Sequence, residues 1–246
     1  MYVERYGTGA RTYFGLHGWS GDHSTFAPLA KYLPTGATLF SPDLPGYGGS
    51  RATRPGELGQ VAEALASALE AVESQTLTLI GNCSGALLGL AALERRPSIQ
   101  KRVERLVLID PFAYTPWYFQ LFMVPLFGKV AYYSTFANPL GRVVTNLSLR
   151  GHRAQETDLT HSFRRIDHAV SYRYLEMLTG IGSIERWANI ELETDLIHGA
   201  RTFSAIKQSM DMWQRMWPHA RVHTLVAAGH LPILESTEEL SRLLFR

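Results

Sequence analysis

The stretch TLTLIGNCSGALLGLAALERR, residues 76–96, contains the single cysteine of the 246-residue chain. Residues 76–81 favour a strand, and residues 85–96 favour a helix. Cys83 lies between these two elements, with a glycine two positions away on each side. Such glycines leave room for a sharp turn that lifts the central side chain above a sheet. The pattern therefore predicts a nucleophile elbow, a strand-to-helix turn with a reactive side chain at its tip.

The composition is that of an ordinary globular protein, with 46% hydrophobic and 19% charged residues. The net charge of +2 is too small to indicate nucleic acid or an anionic membrane as the main partner. The sequence has no apolar run close to the ~18 residues of a spanning helix. The opening stretch MYVERYGTGA does not resemble a signal peptide, so we predict a cytoplasmic protein with a reduced thiol. A lone cysteine excludes an internal disulfide and a cysteine-based metal cluster.

Short strand-like runs alternate with helical patterns in both the first and the last part of the chain. This alternation predicts crossover connections and a parallel sheet. The predicted strands are residues 12–18, 76–81, 103–110, 194–199, a run within 221–230, and the first part of residues 37–50, where a strand runs into a Pro/Gly loop. The predicted helices are residues 23–33, 57–73, 85–96, 203–217 and 236–245.

Residues 111–189 interrupt this alternation with an aromatic-rich, mostly helical block. Its two clearest helical stretches are residues 115–127 and 170–181. A block of this kind between two sheet strands is typical of a lid over a pocket. We therefore predict a core formed by residues 1–110 and 190–246, with residues 111–189 as a helical lid inserted into it.

Three further motifs occur in a fixed order around the elbow. They are HGWSG (residues 17–21), DLPGYGGS (residues 43–50) and AAGHLPILE (residues 227–235). Together with the elbow, they resemble the α/β-hydrolase family over nearly the whole chain. The resemblance implies an α/β-hydrolase fold, a mostly parallel sheet flanked by helices with an inserted helical lid.

The resemblance also assigns roles to residues. Cys83 occupies the nucleophile position, where most family members have serine, and His230 would be the general base. The backbone N–H groups of Trp19 and Ser84 would form the oxyanion hole. Many members carry the acid in the loop after the strand at 194–199, but this loop has no carboxylate. Asp110, which ends the strand after the elbow, is therefore predicted to complete a Cys83–His230–Asp110 triad.

Structural roles for the same residues remain open. A lone cysteine is often a packing residue, and an aspartate before a proline often only caps a turn. Asp43 is expected to tie its own loop, and His17 to organise the oxyanion loop. The lid histidines His152, His161 and His168 are expected to be solvated or packed, not metal-bound. The lid aromatics could line an acyl pocket or form core; they are Trp117, Tyr118, Phe119, Phe122, Phe127, Tyr132 and Tyr133.

A cysteine nucleophile forms an acyl thioester, which reacts with carbon nucleophiles readily and with water slowly. Among families with cysteine on this elbow, the chain most resembles the Dieckmann cyclases of polyketide pathways. That resemblance implies cyclisation and release of a β-ketoacyl thioester presented by a carrier protein, with no cofactor and no metal. The alternatives are a thioesterase or carboxylic ester hydrolase with the same triad, and a non-catalytic binding protein for small molecules. The oligomeric state is left open.

Overall fold

The computed structural model describes residues 1–153 and 157–246. A seven-stranded sheet has the order β1-β3-β2-β4-β5-β6-β7, in which β1 pairs antiparallel with β3 and the other pairs are parallel. The strands are β1 Val3–Gly7, β2 Arg11–Leu16, β3 Ala37–Pro42, β4 Leu77–Asn82, β5 Val103–Ile109, β6 Glu193–Gly199 and β7 Arg221–Leu225. The predicted mostly parallel sheet is confirmed. Strand β1, at the edge, was not among the predicted strands.

Helices cover both faces of the sheet. They are α1 Leu58–Glu70, α2 Ser84–Arg95, α3 Pro97–Gln100, α4 Trp117–Gln120, α5 Gly128–Tyr132, α6 Pro139–Ser148, α7 His168–Thr179, α8 Ser204–Met216, α9 Pro232–Glu235 and α10 Thr237–Leu244. The helix predicted over residues 23–33 is a 3₁₀ helix, His23–Tyr32, with Pro28 inside it. Proline has no N–H to donate, so it interrupts regular α-helical hydrogen bonding.

The sheet separates two apolar cores. Adjacent strand residues point to opposite faces, so Leu79 packs into one core and Ile80 into the other. The larger core contains three buried tryptophans, Trp187, Trp213 and Trp217. Because helices cover both faces, the central strands are apolar along nearly their whole length, as parallel strands usually are.

The register of the central strands brings their carboxyl ends to one edge of the sheet. Asn82, the last residue of β4, pairs with Ile109, the last residue of β5. Ile109 in turn pairs with Ile197 near the end of β6. Cys83 and Asp110 each follow one of these strands directly, so they lie beside one another at this edge.

The chain between β5 and β6 contains helices α4 to α7, together with short 3₁₀ and π turns. The residues 154–156 of this insertion lie outside the described residues. Helix α7 is joined to loops of the core by two hydrogen bonds. Tyr174 donates its hydroxyl to the Pro45 carbonyl at 3.0 Å, and Trp19 Nε1 donates to the Ser171 carbonyl at 2.9 Å. In the described part of the chain, no helix has the length and apolarity needed to cross a membrane.

Candidate active site

Cys83 lies at the tip of a strained turn between β4 and α2. Its backbone has φ 52° and ψ −120°, a conformation that side chains other than glycine rarely adopt. A Cβ atom on Gly81 would lie 2.4 Å from Ala86 Cα, and one on Gly85 would lie 2.3 Å from the Leu16 carbonyl oxygen. Both glycines are therefore sterically required for the elbow. The turn leaves the Cys83 side chain half-buried.

Asp110 and His230 meet at the same edge of the sheet. Asp110 is fully buried and also has a left-handed backbone, with φ 48°. Its Oδ2 lies 2.8 Å from His230 Nδ1, and its Oδ1 accepts the Gly199 N–H at 3.2 Å. The backbone N–H of His230 donates to the His152 carbonyl at 2.8 Å. These contacts fix the position of the imidazole, and they leave Nε2 as the nitrogen available to Cys83.

The charges around His230 favour its protonated form. Burial alone would lower the pKa of His230, but hydrogen bonds to Asp110 and Cys83 outweigh burial and raise this pKa to about 10. An imidazolium that holds the proton of the cysteine can donate that proton to a leaving group once the sulfur has attacked. The structure therefore brings the predicted nucleophile, base and acid into one hydrogen-bonded group.

Thr202 is a member of this group that sequence reasoning missed. Its hydroxyl donates to Asp110 Oδ2 at 2.5 Å and lies 3.4 Å from His230 Nδ1. The side chain is buried, in the loop after β6 where many family members carry the acid. The position of the loop at the same sheet edge as Asp110 was the available signal, but a threonine in it has no distinctive pattern.

The loop after β2 packs directly against the elbow. A Cβ on Gly18 would lie 3.0 Å from Cys83 Cβ, a tight contact that glycine avoids. His17 is fully buried and holds the loop, since its Nδ1 donates to the Gly18 carbonyl at 2.9 Å and its Nε2 accepts the Leu44 N–H at 3.1 Å. Burial lowers the pKa of His17, which matches this neutral tautomer.

The two predicted oxyanion donors flank the elbow. Within the described residues, neither the Trp19 N–H nor the Ser84 N–H donates to a protein acceptor. The Ser84 N–H is also one of the first N–H groups of α2, which have no partner inside the helix. Both N–H groups therefore lack an acceptor among the described residues, and their role in an oxyanion hole stays a prediction.

An apolar pocket opens beside Cys83 and encloses about 590 Å³ of space, its open mouth included. The core and the insertion both contribute to its wall. The lining includes Trp19, Ser84 and Leu87 from the core, and Phe112, Pro116, Phe119, Leu175, Leu178 and Ile181 from the insertion. Carbon-rich walls around a single thiol suit an acyl chain better than a polar substrate.

The aromatic residues of the insertion differ in their exposure and in whether they line the pocket. Phe119 lines the pocket and packs edge-on against the Trp19 ring, with 5.8 Å between the ring centroids. Tyr132 is buried and also contacts Trp19. Trp117 and Phe127 are exposed and do not line the pocket. The buried hydroxyl of Tyr118 has no hydrogen-bond partner among the described residues.

Asp43 is a buried carboxylate in the loop after β3. It accepts the His23 N–H and the Gly49 N–H, each at 2.6 Å, so it ties the loops of the core together. Asp22, His23 and Asp43 form a described group whose ligand atoms lie close enough to hold a metal ion. Both Asp43 oxygens already accept backbone N–H groups, which leaves this group poorly suited to a cation.

The lid histidines have different surroundings. His168 Nδ1 lies 3.2 Å from the Tyr132 hydroxyl, and the His152 ring packs on Phe203, whose ring also contacts His230. His161 is exposed. Among the described residues, these three histidines form no group with the spacing of a metal site.

Comparison with known proteins places this geometry in context. Residues 16–237 match the family model described as alpha/beta hydrolase fold. The chain is similar to a pimeloyl-[acyl-carrier protein] methyl ester esterase of Aromatoleum aromaticum, with 26% identity over 93% of this chain and 94% of that protein. A protein of the same name from Xylella fastidiosa is 34% identical over 41% of this chain and 37% of its own length.

Solved structures show the same fold at low sequence identity. An esterase from Exiguobacterium antarcticum superposes with a TM-score of 0.82 at 16% identity, covering 99% of this chain and 93% of that one. The enol-lactonase from Burkholderia xenovorans LB400 gives a TM-score of 0.76 at 16% identity, covering 99% and 94%. With its elbow, its sheet order and a family match over most of its length, the chain belongs to the alpha/beta hydrolase fold family.

Proposed function

We propose that the chain is an esterase or thioesterase that forms an acyl-enzyme on Cys83. One observation carries the proposal: the only thiol of the chain lies on a strained elbow, hydrogen-bonded to the His230–Asp110 pair and facing an apolar pocket. A packing cysteine needs none of these features. The names of the relatives, which are ester esterases, support hydrolysis as the reaction.

In the first half of the reaction, His230 holds the proton of the Cys83 thiol, and the sulfur attacks as a thiolate, forming a bond to the carbonyl carbon of a bound ester or thioester. The N–H groups of Trp19 and Ser84 would hold the oxyanion of the tetrahedral intermediate. When the intermediate collapses, the bond to the leaving alcohol or thiol breaks, and His230 gives that group its proton. The product is an acyl–Cys83 thioester and a neutral His230.

In the second half, His230 removes a proton from a water molecule as that water attacks the acyl carbon. Collapse of this second intermediate breaks the C–S bond, releases a carboxylic acid and returns the proton to the Cys83–His230 pair. Asp110 keeps Nδ1 protonated, so that Nε2 faces the reacting atoms in both halves. No cofactor enters these steps.

The substrate class follows from the pocket and the relatives. The wall beside Cys83 is apolar, which favours an acyl chain. The relatives are named for esters linked to an acyl-carrier protein. We therefore propose a carrier-presented acyl substrate for this chain as well.

Dieckmann-type cyclisation is the second candidate, favoured by cysteine in the nucleophile position. An acyl thioester reacts slowly with water, so an enolate of the same substrate could attack it first and expel a ring. The comparisons give esterases and a lactonase, so hydrolysis ranks above cyclisation.

Product mass separates these reactions. The protein would be incubated with a β-ketoacyl-aminoacyl thioester, with a simple acyl thioester and with its methyl ester. Cys83→Ala is the loss-of-nucleophile variant, and Cys83→Ser is the matched control that keeps a nucleophile at the elbow. Intact-protein mass spectrometry would follow the acyl adduct on Cys83.

We expect a product equal to substrate minus the leaving group plus one water, and an adduct that Cys83→Ala lacks. A product without the added water would show cyclisation and overturn hydrolysis. Full turnover by Cys83→Ala would overturn both reactions. If no adduct forms and iodoacetamide does not alkylate the thiol at neutral pH, the chain is a binding protein.

A further inference from the structure

Helix α6 of the insertion exposes its apolar face to solvent and turns its polar face inward, the reverse of a normal surface helix. Its apolar residues Leu140, Val143, Val144 and Leu147 have the i, i+3, i+4, i+7 spacing of one face, and all four are exposed. Its polar residues Arg142 and Asn146 are instead half-buried.

The inward polar face is held by specific hydrogen bonds. Arg142 Nη1 donates to the carbonyls of Phe136 and Ala137, at 3.1 and 2.8 Å. Asn146 Oδ1 accepts the Leu159 N–H at 3.1 Å. Rotation of α6 to bury its apolar face would break these bonds. The exposed apolar stripe is therefore built into the fold.

A second exposed apolar segment lies earlier in the insertion, directly before α5. The loop at residues 124–127, with the sequence VPLF, joins two short helical turns and ends at α5. Leu126 is 98% exposed and has a left-handed backbone with φ 66°. Phe127 and, on α4, Trp117 are also exposed. The packing of the residues that the structure describes does not explain a strained loop that projects a leucine and a phenylalanine into water.

The charge of this part of the chain has one sign. Residues 111–153 contain one lysine, three arginines and no aspartate or glutamate. Lys129 and Arg150 are exposed beside the two apolar segments. The net charge of the whole chain hides this asymmetry, so composition alone predicts no membrane partner.

We propose that this surface, comprising Trp117, the 124–127 loop and the outer face of α6, binds an anionic lipid bilayer. Apolar side chains would enter the boundary between headgroups and acyl chains, and the cations would face lipid phosphates. The protein would lie on the bilayer surface without crossing it.

Two other occupants fit the surface less well. A two-fold dimer through this face would bring its cations against the same acid-free segment of the second copy, where no salt bridge could form. An acidic carrier protein would be recognised mainly through charge, whereas on this face the exposed apolar side chains outnumber the exposed cations Lys129 and Arg150, as insertion into a bilayer interface requires.

The surface also adjoins the acyl pocket. Helix α4 places Trp117 outside and Phe119 on the pocket wall. A bilayer bound at α4 would therefore lie next to the cavity that leads to Cys83. Vesicle binding requires no catalysis, so it tests this proposal independently of the proposed function.

Flotation with vesicles provides the test, using full-length protein and vesicles of phosphatidylglycerol and phosphatidylcholine in equal parts. Leu126→Glu and Val144→Glu each place a charge at one exposed apolar site. Val226→Glu is the matched control, because Val226 is also strongly exposed but lies outside this surface. Circular dichroism would check that all variants fold.

We expect the wild type to float with these vesicles, and each surface variant to partition at least about tenfold less. The control should behave as wild type, and pure phosphatidylcholine should bind less protein. The proposal is wrong if the wild type does not float, or if Val226→Glu loses binding equally. Absence of flotation together with a dimer that Val144→Glu dissociates would instead identify an interface between two copies.

Discussion

Two fully buried aspartates, at opposite ends of the parallel strands, show how surroundings decide what a carboxylate does. Asp110 follows β5 at the carboxyl edge and contacts the Gly199 N–H, the Thr202 hydroxyl and His230. Asp195 lies near the start of β6. It bonds to Arg105 and His223, at 2.7 Å each, and to Arg221 and Arg246.

The difference lies in the balance of charge. Three guanidinium groups surround Asp195; burial would raise its pKa, but hydrogen bonds from Arg221, His223 and Arg105 hold that pKa well below its usual range. Among the described residues, Asp110 has no arginine or lysine partner, and His230 is its one ion-pair partner. A buried carboxylate with one histidine partner can tune a proton transfer, whereas one enclosed by arginines joins strands together.

The largest expected effect is on catalysis, from Asp110→Asn. The amide keeps the shape but no longer favours the correct His230 tautomer and charge, so kcat should fall about 10³- to 10⁴-fold. Steady-state kinetics with an acyl thioester would measure this. Asp195→Asn is the matched control and should leave kcat unchanged. Equal losses in both variants would contradict the division of roles.

For the free energy of unfolding, the substitution at Asp195 is the one expected to have a large effect. Asp195→Asn leaves the buried Arg105 guanidinium without its carboxylate, and should lower the free energy of unfolding by about 3 kcal/mol. Urea unfolding at neutral pH would measure the loss. Glu193→Gln, which removes the exposed partner of Arg221, should cost less than about 1 kcal/mol.

The pH dependence of Asp195 has a definite sign. Because its pKa in the folded state is depressed, its stabilisation is present above the ordinary value of 3.8 and is lost as the pH falls. Asp195→Asn should therefore lose less stability than the wild type on acidification below about pH 4.

A smaller catalytic effect is expected from Thr202→Val. This change keeps the shape but removes a hydrogen bond to Asp110, and should lower kcat about tenfold, the rate equivalent of one hydrogen bond to a charged group. Thr194→Val is the control, because that buried hydroxyl donates only to the Leu192 carbonyl. If the two variants have the same kcat, Thr202 has no positioning role.

The smallest effect is a shift in the titration of His230. Its Hε1 resonance, assigned with His230→Gln, should titrate near pH 10 in the wild type and at lower pH in Asp110→Asn. Since this pKa is raised in the folded state, the charged imidazole stabilises the protein fully below about pH 6.5. That contribution is lost as the pH rises to about 10. An unchanged midpoint in Asp110→Asn would contradict the pairing.

Sequence reasoning predicted the fold and the meeting of the candidate triad for a physical reason. Parallel strands place their carboxyl ends on one edge, so residues that follow β4 and β5 must be neighbours there. The two glycines of the elbow have a local steric cause and can be recognised without tertiary information.

The remaining features depend on contacts between distant segments. Thr202 joins the site only through the loop after β6, and a threonine has no distinctive pattern. Edge strand β1 is short, and it is held in the sheet by its antiparallel pairing with β3. The inward polar face of α6 depends on carbonyls that only the folded insertion places nearby. Amphipathic spacing predicts a helix, but it does not predict which face will be buried.

At Cys83, the left-handed backbone costs stability, whereas the thiol that it presents serves the proposed reaction. Cys83→Gly would relieve the conformational strain and remove the reactive sulfur in a single step. A lineage that no longer used the reaction would gain stability by that change. If Cys83 is the proposed nucleophile, selection for its reactivity keeps the cysteine in place, and a glycine at this position in a descendant would record the loss of that reaction.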